Sequence, residues 1–172
     1  MKISTAILNG YTPLPADSRD VRNLLDDIGL EVKRHDPSTG KLTLELLANR
    51  GDHHCYLGLA REISGRTGSA LCGPDVASLT VGDTPHPLSL QTDLCSMYSA
   101  TLLERDGDET SLTADEMAPL EAAEIHSVTP AVDASNIANL EFGQPTHCFD
   151  ADTIVGPITI RLSTAGEMAW PL

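Results

Sequence analysis

Gly73-Pro74, Gly82, Pro85 and Pro87 fall within one short stretch that carries few periodic hydrophobic signals. Proline removes a backbone donor and fixes φ, and glycine loses the most entropy on ordering. A regular helix or central strand therefore does not run through such a stretch. The chain of 172 residues divides accordingly into an N-terminal unit over 1–70, a linker or extended crossing segment over 71–90 and a second unit over 91–172. At this size it holds one good core or two small ones. Phe, Trp and Tyr make up only 3% of the sequence, so any core must be aliphatic.

Within the first unit, Ile3–Leu8 reads as a short strand followed by a turn region at Gly10, Pro13 and Pro15. Asp17 or Ser18 caps a helix whose apolar positions Val21, Leu24, Leu25 and Ile28 recur at 3.6-residue spacing, and Gly29 stops it. Leu30–Lys33 suggests a strand, Asp36–Gly40 a turn, and Leu42, Leu44 and Leu46 a second strand with period two. Asp52 is the expected cap of a helix running from Tyr56 to a stop near Gly68. In the second unit Cys95–Leu103 reads as a strand and Asp106-Gly107-Asp108 as a turn. Thr113 with Glu116 forms a capping box, Asp133 or Ser135 starts a further helical turn or two, and Gln144-Pro145 breaks it. Ile158 and Ile160 mark a closing strand. The fold class is α+β.

Lys and Arg total 11 against 25 Asp and Glu, a formal charge of -14. Affinity for nucleic acid rests on cations that neutralise phosphates, so this balance argues against autonomous binding of that kind. The four cysteines, Cys55, Cys72, Cys95 and Cys148, form no C-x-x-C pair. No signal-like opening is visible, and no run approaches the roughly 20 apolar residues of a membrane span. The expectation is a reduced, cytoplasmic protein without a membrane partner.

Few residues offer chemistry. His53-His54-Cys55 are consecutive and cannot share one helix face, whereas zinc ligands are usually spaced by two to four residues. They read as a helix N-terminal turn with partly exposed histidines, and no metal or other cofactor is expected. Gly51-Asp52 is followed by no glycine-rich phosphate loop. Arg61 and Glu62 read as a surface or inter-element ion pair. Cys148 follows His147, but neighbours in an extended segment point to opposite faces, so Cys148 reads as a small buried hydrophobe.

The most specific segment is Asp133-Ala134-Ser135-Asn136 with Leu140-Glu141-Phe142-Gly143-Gln144-Pro145-Thr146-His147-Cys148-Phe149-Asp150. It resembles the D-x-x-N…L-E-x-G-Q-P-x-H-x-F-D signature of the β subunit of bacterial phenylalanyl-tRNA synthetase. Asn49-Arg50-Gly51-Asp52 with Leu57-Gly58-Leu59-Ala60-Arg61-Glu62 is similar to that family's N-R-x-D…L-G-x-A-R-E stretch. Weaker likeness extends from Lys2-Ile3-Ser4 through Gly29-Leu30-Glu31-Val32 and Tyr98-Ser99-Ala100 to Gly166-Glu167. The resemblance implies a small N-terminal α/β unit packed on a partial editing-type domain. It implies a catalytic His147 that orients water or an ester, with Asn136, Gln144, Pro145 and His147 at the substrate. With only the first part of the editing-type segment present, a structural hydrogen bond across the turn, holding Asp150 or a backbone carbonyl, is the preferred role for His147. Asn49, Arg50, Asp52, Asp133, Glu141, Gly143 and Asp150 read as structural signature positions. Among them Asp133 braces a helix start, Asp150 caps or pairs locally, and Glu141 accepts backbone N–H bonds in the signature loop.

The departures matter equally. The family carries a tRNA-binding OB-fold after G-L-E-V, but the few residues between Val32 and Leu42 cannot hold a roughly 100-residue barrel. No class II synthetase motif is present, and the editing-type segment covers only its first part. The chain reads as a purpose-built short relative and a non-catalytic accessory protein. Its expected partner is a class II synthetase-like or ATP-dependent ligase chain, whose amino-acid-like substrate or product it shapes or screens. The alternatives are a trans-acting hydrolase of aminoacyl-tRNA esters, completed by homodimerisation, or a reduced β subunit of the synthetase itself. Autonomous tRNA binding is not expected.

Overall fold

The computed structural model describes residues 1–73, 87–104 and 112–170. Most of the expected connector, residues 74–86, and the expected Asp106-Gly107-Asp108 turn lie outside them. The chain is mixed α and β and groups into two compact units, Met1–Val76 with Asp108–Cys148, and Ala77–Gly107 with Phe149–Leu172. The sequence division follows composition, whereas this grouping follows packing.

The first unit opens with β1 (Lys2–Ser4), which passes at once into α1 (Thr5–Tyr11). The expected strand over Ile3–Leu8 is therefore half strand and half helix. Leu8 and Tyr11 are buried three residues apart on one helical face, a period that the short apolar run does not announce. Gly10 lies inside this helix rather than in a turn. Next, α2 (Ser18–Asp27) starts where Asp17 accepts the N–H groups of Arg19 and Asp20. Gly29 follows at φ +79, the left-handed geometry that ends helices at little cost for glycine. β2 (Glu31–Asp36) and β3 (Lys41–Glu45) complete an antiparallel sheet of order β1-β3-β2. Its register sets Ile3 opposite Leu42 and Val32 opposite Leu44. These four side chains are buried with Leu8 and Leu25 under α1 and α2.

A 3-10 turn over Gly51–His53 leads to α3 (Tyr56–Thr67), whose Tyr56, Leu59 and Ile63 close the same core. The cap of α3 is Cys55, not Asp52: its sulfur accepts the Gly58 N–H at 3.3 Å. The 3-10 turn places Asp52 before the helix, which leaves its carboxylate to Arg50. The same turn buries His53 at 2% exposure, where partly exposed histidines were expected, while His54 is exposed. In the later part of this unit, α4 (Ala114–Ala123) carries the expected capping box, with Pro119 inside it. Lys2 pairs with Glu124 at its end. α5 (Pro130–Phe142) is longer than the expected turn or two. Its cap is Thr129, with Pro130 at the first helical position, where a missing N–H costs nothing.

The second unit contains β4 (Leu88–Leu90) and β5 (Ile158–Ile160), paired in parallel. β5 is the expected closing strand; β4 lies where composition suggested a linker. Cys95–Leu103 is not a strand. A strand exists only through its ladder, and among the described residues β4 pairs with β5 instead. No described residue of this unit is buried. No helix among the described residues is long and apolar enough to cross a membrane.

Leu25 has 0% exposure in the centre of the first unit. Leu25→Ala is expected to cost about 2–5 kcal/mol, because the cavity adds to the lost transfer energy. Urea unfolding checks this as a lower midpoint at unchanged slope.

Candidate functional site

The residues of the signature are arranged by one helix and its return. α5 ends at Gly143, whose φ of +75 places it in the left-handed region. A Cβ there would also stand 3.2 Å from the Cys55 sulfur, so the end of α5 closes on the start of α3. The helix thus stops one residue before the expected Gln144-Pro145 break. Segment 144–148 then runs back beside α5. The Ser135 hydroxyl lies 2.9 Å from the Thr146 carbonyl oxygen, to which it donates, and 2.7 Å from the Thr146 hydroxyl. The Cys148 thiol donates to the Ala131 carbonyl at 3.4 Å. Cys148 is exposed, not a buried hydrophobe, because its segment lies on the outside of the helix.

This path brings Asn136 and His147 beside the paired positions 135 and 146. Asn136 is half-buried, and Gln144, Pro145 and His147 are exposed. The Gln144 amide donates to the Pro145 carbonyl at 3.2 Å, holding its own turn. Two shallow hollows of about 400 and 300 Å³ occur in this unit. The larger is lined by Asp27, Ile28, Arg61, Glu62, Gly65 and Arg66. The smaller lies between α1, α2 and the β2–β3 turn. None of Asn136, Gln144, Pro145 or His147 lines either hollow.

The structural positions of the signature are tied more closely. Asp133 is 2% exposed; its carboxylate accepts the Ser127 hydroxyl at 2.5 Å and the Val128 N–H at 2.9 Å. It sits inside the first turn of α5 and braces the loop before it, rather than capping the helix. Glu141 lies near enough to the Tyr11 hydroxyl to act on its ionisation. Burial first, then the Glu141 carboxylate, drives the Tyr11 phenol well above the usual tyrosine range. In the second unit, Asp150 caps a 3-10 turn by accepting the Asp152 N–H at 3.1 Å.

A second constellation forms on the N-R-x-D…L-G-x-A-R-E stretch, where the sequence suggested a cap at Asp52 and an ion pair at Arg61 and Glu62 but no grouping of the two. Arg50 holds Asp52 with two hydrogen bonds, at 3.0 and 2.8 Å, and reaches Glu62 at 2.6 Å. His53 Nε2 lies 3.5 Å from Glu62 and 3.7 Å from Asp52. Arg50 holds the Asp52 carboxyl well below its usual range, at about 2, and the same guanidinium lowers Glu62. Gly58 is obligatory beside them, since a Cβ would fall 1.7 Å from the Asp52 carbonyl oxygen. Glu62 therefore belongs to an inter-element pair. Its nine-residue spacing from His53 hides the grouping, because it depends on the intervening 3-10 turn.

Comparison with known proteins gives two findings. Residues 95–172 match the family model described as "B3/4 domain". The phenylalanine–tRNA ligase beta subunit of Ralstonia nicotianae is 32% identical over 163 residues, covering 94% of this chain and 18% of the relative. That of Bordetella pertussis is 35% identical over 127 residues, 73% of this chain and 16% of the relative. That of Neisseria meningitidis serogroup B is 30% identical over 164 residues, 93% of this chain and 20% of the relative. The chain thus spans a fifth or less of these relatives' own lengths.

The Asp133 carboxylate serves two donors from within the first unit. Asp133→Ala leaves both without their acceptor and is expected to lower stability by about 1–3 kcal/mol. Asp133→Asn should retain part of the loss, and paired denaturation curves distinguish the two.

Proposed function

From the premise that this chain is a relative of the bacterial phenylalanine–tRNA ligase beta subunits, we propose that it is a non-catalytic accessory chain. It docks on a synthetase-like, ATP-dependent ligase and shapes or screens that enzyme's amino-acid-like substrate or product. The relatives are beta subunits by name, so a companion ligase chain is the partner their likeness suggests.

One observation carries this reading. The second unit, which overlaps the B3/4 match only in part, holds Leu94, Met97, Leu103, Val155, Met168 and Trp170 at exposures between 77% and 96%, with none of its described residues buried. Its parallel pair is three residues long, and parallel strands are ordinarily covered on both faces. A surface of this apolar character favours association. The placement of His147 agrees: it stands exposed. The charge of -14 also favours a protein surface over tRNA as the direct contact.

The test is co-elution of the purified chain with the phenylalanine–tRNA ligase alpha chain of the same source in size-exclusion chromatography. A complex is expected, weakened at least tenfold by Trp170→Glu or Met97→Glu. In parallel, tyrosyl-tRNA supplied to the chain alone should lose tyrosine no faster than in buffer. Absence of a complex, together with ester hydrolysis abolished by His147→Ala, would replace the accessory reading with a trans-acting hydrolase.

A further inference from the structure

We propose that Asp52, His53 and Glu62 form a three-ligand site for a tetrahedral divalent ion of the zinc class, in which the Arg50 guanidinium is the competing occupant. The three donor atoms all lie within 4.8 Å of one another. His53 Nε2 stands 3.5 Å from Glu62 Oε2 and 3.7 Å from Asp52 Oδ2. Bonds of about 2.0–2.2 Å in tetrahedral geometry put neighbouring donors roughly 3.3–3.6 Å apart, so these two separations need little change. One imidazole and two carboxylates suit zinc, whereas magnesium and calcium favour sites made of oxygen alone.

The local fold presents this set. The 3-10 turn over Gly51–His53 fixes Asp52 and His53, and Glu62 projects from α3 one turn beyond Gly58. The His53 side chain is 3% exposed, so it is held in place rather than free to sample solvent. Asp and Glu side chains are ordinarily ionised at neutral pH, as ligation requires. The Asp52 side chain is 49% exposed, leaving one side of the cage open to water for a fourth position.

Arg50 Nη2 lies 2.8 Å from Asp52 Oδ2 and 2.6 Å from Glu62 Oε2, the same two oxygens that the ion would take. Its side chain is 33% exposed, with solvent available to it if displaced. Guanidinium and metal are therefore mutually exclusive at these oxygens. The guanidinium supplies one positive charge against two carboxylates, and a divalent ion would neutralise both. The consequence is a site weak in the native chain and strong once the guanidinium is removed.

The probe is Co2+, titrated into the full chain and followed by the visible absorption of tetrahedral cobalt, with circular dichroism reporting the fold. Arg50→Met should bind Co2+ at least tenfold more tightly than the native chain, and Zn2+ should displace it. Adding His53→Gln to Arg50→Met should abolish the tetrahedral signal, which separates this site from the exposed cysteines. Arg50→Lys, too short to bridge both carboxylates, should also bind more tightly and carries the test if Arg50→Met does not fold. Equal affinity in native and variant chains, a signal that survives His53→Gln, or folded variants that bind no Co2+ would overturn the proposal.

Discussion

Tyr56 is the residue on which the first unit converges. It has 0% exposure, in a chain with only 3 tyrosines. Burying a phenol is favourable only if its hydroxyl finds a partner. Here the oxygen accepts the Ser4 N–H at 2.8 Å, at the junction of β1 and α1. Its ring lies parallel to Tyr11 within 9°, with centroids 6.3 Å apart. Burial, opposed by the Ser4 bond and assisted by Glu141, pushes the Tyr56 phenol up to about 12. Both phenols thus stay neutral, and the Tyr11 hydroxyl lies near Glu141 of α5.

This arrangement gives the signature a physical meaning that its spacing does not carry. Glu141 sets the last turn of α5 beside Tyr11 of α1, and Gly143 lets the same helix end against Cys55 at the head of α3. Asp133 secures the opposite end of α5 to the loop before it. Two of the signature's residues, Glu141 and Gly143, therefore face the N-terminal elements, and a third, Asp133, braces the loop that enters the helix. The described residues of the second unit show the opposite condition, with a short parallel ladder and apolar side chains in solvent. The proposed accessory role rests on that contrast: one unit buries its own core, and the described residues of the other leave large apolar side chains exposed.

Elements with strong local chemistry were legible in the sequence. The α2 cap at Asp17, the Gly29 stop, the β2–β3 hairpin and the Thr113–Glu116 capping box all follow from short-range preferences. Failures came where distant contacts decide. Thr5–Tyr11 is helical because Leu8 and Tyr11 reach a core built by β3 and α3. Cys55 replaces Asp52 as the cap because the 3-10 turn sets Asp52 ahead of the helix and leaves its carboxylate to Arg50. Cys95–Leu103 has strand-like residues but no ladder among the described residues, and β4 was hidden by the prolines before it. At the candidate site, the family resemblance implied a pocket, yet Asn136, Gln144, Pro145 and His147 line neither of the two hollows described. The Arg50–Asp52–His53–Glu62 grouping was invisible because a 3-10 turn, unread in the sequence, folds His53 toward a helix residue nine positions later.

α5 is an integral part of the first unit, with Glu141 beside Tyr11 and Gly143 against Cys55, rather than part of a separate C-terminal domain. Native-state amide hydrogen exchange tests it directly, since elements of one cooperative unit open together. The account predicts that the most protected amides of α5 share the opening free energy of those in α3 and β3, and fall with them at the same denaturant concentration. Exchange of α5 through a separate, lower-energy opening while α3 and β3 remain protected would contradict it.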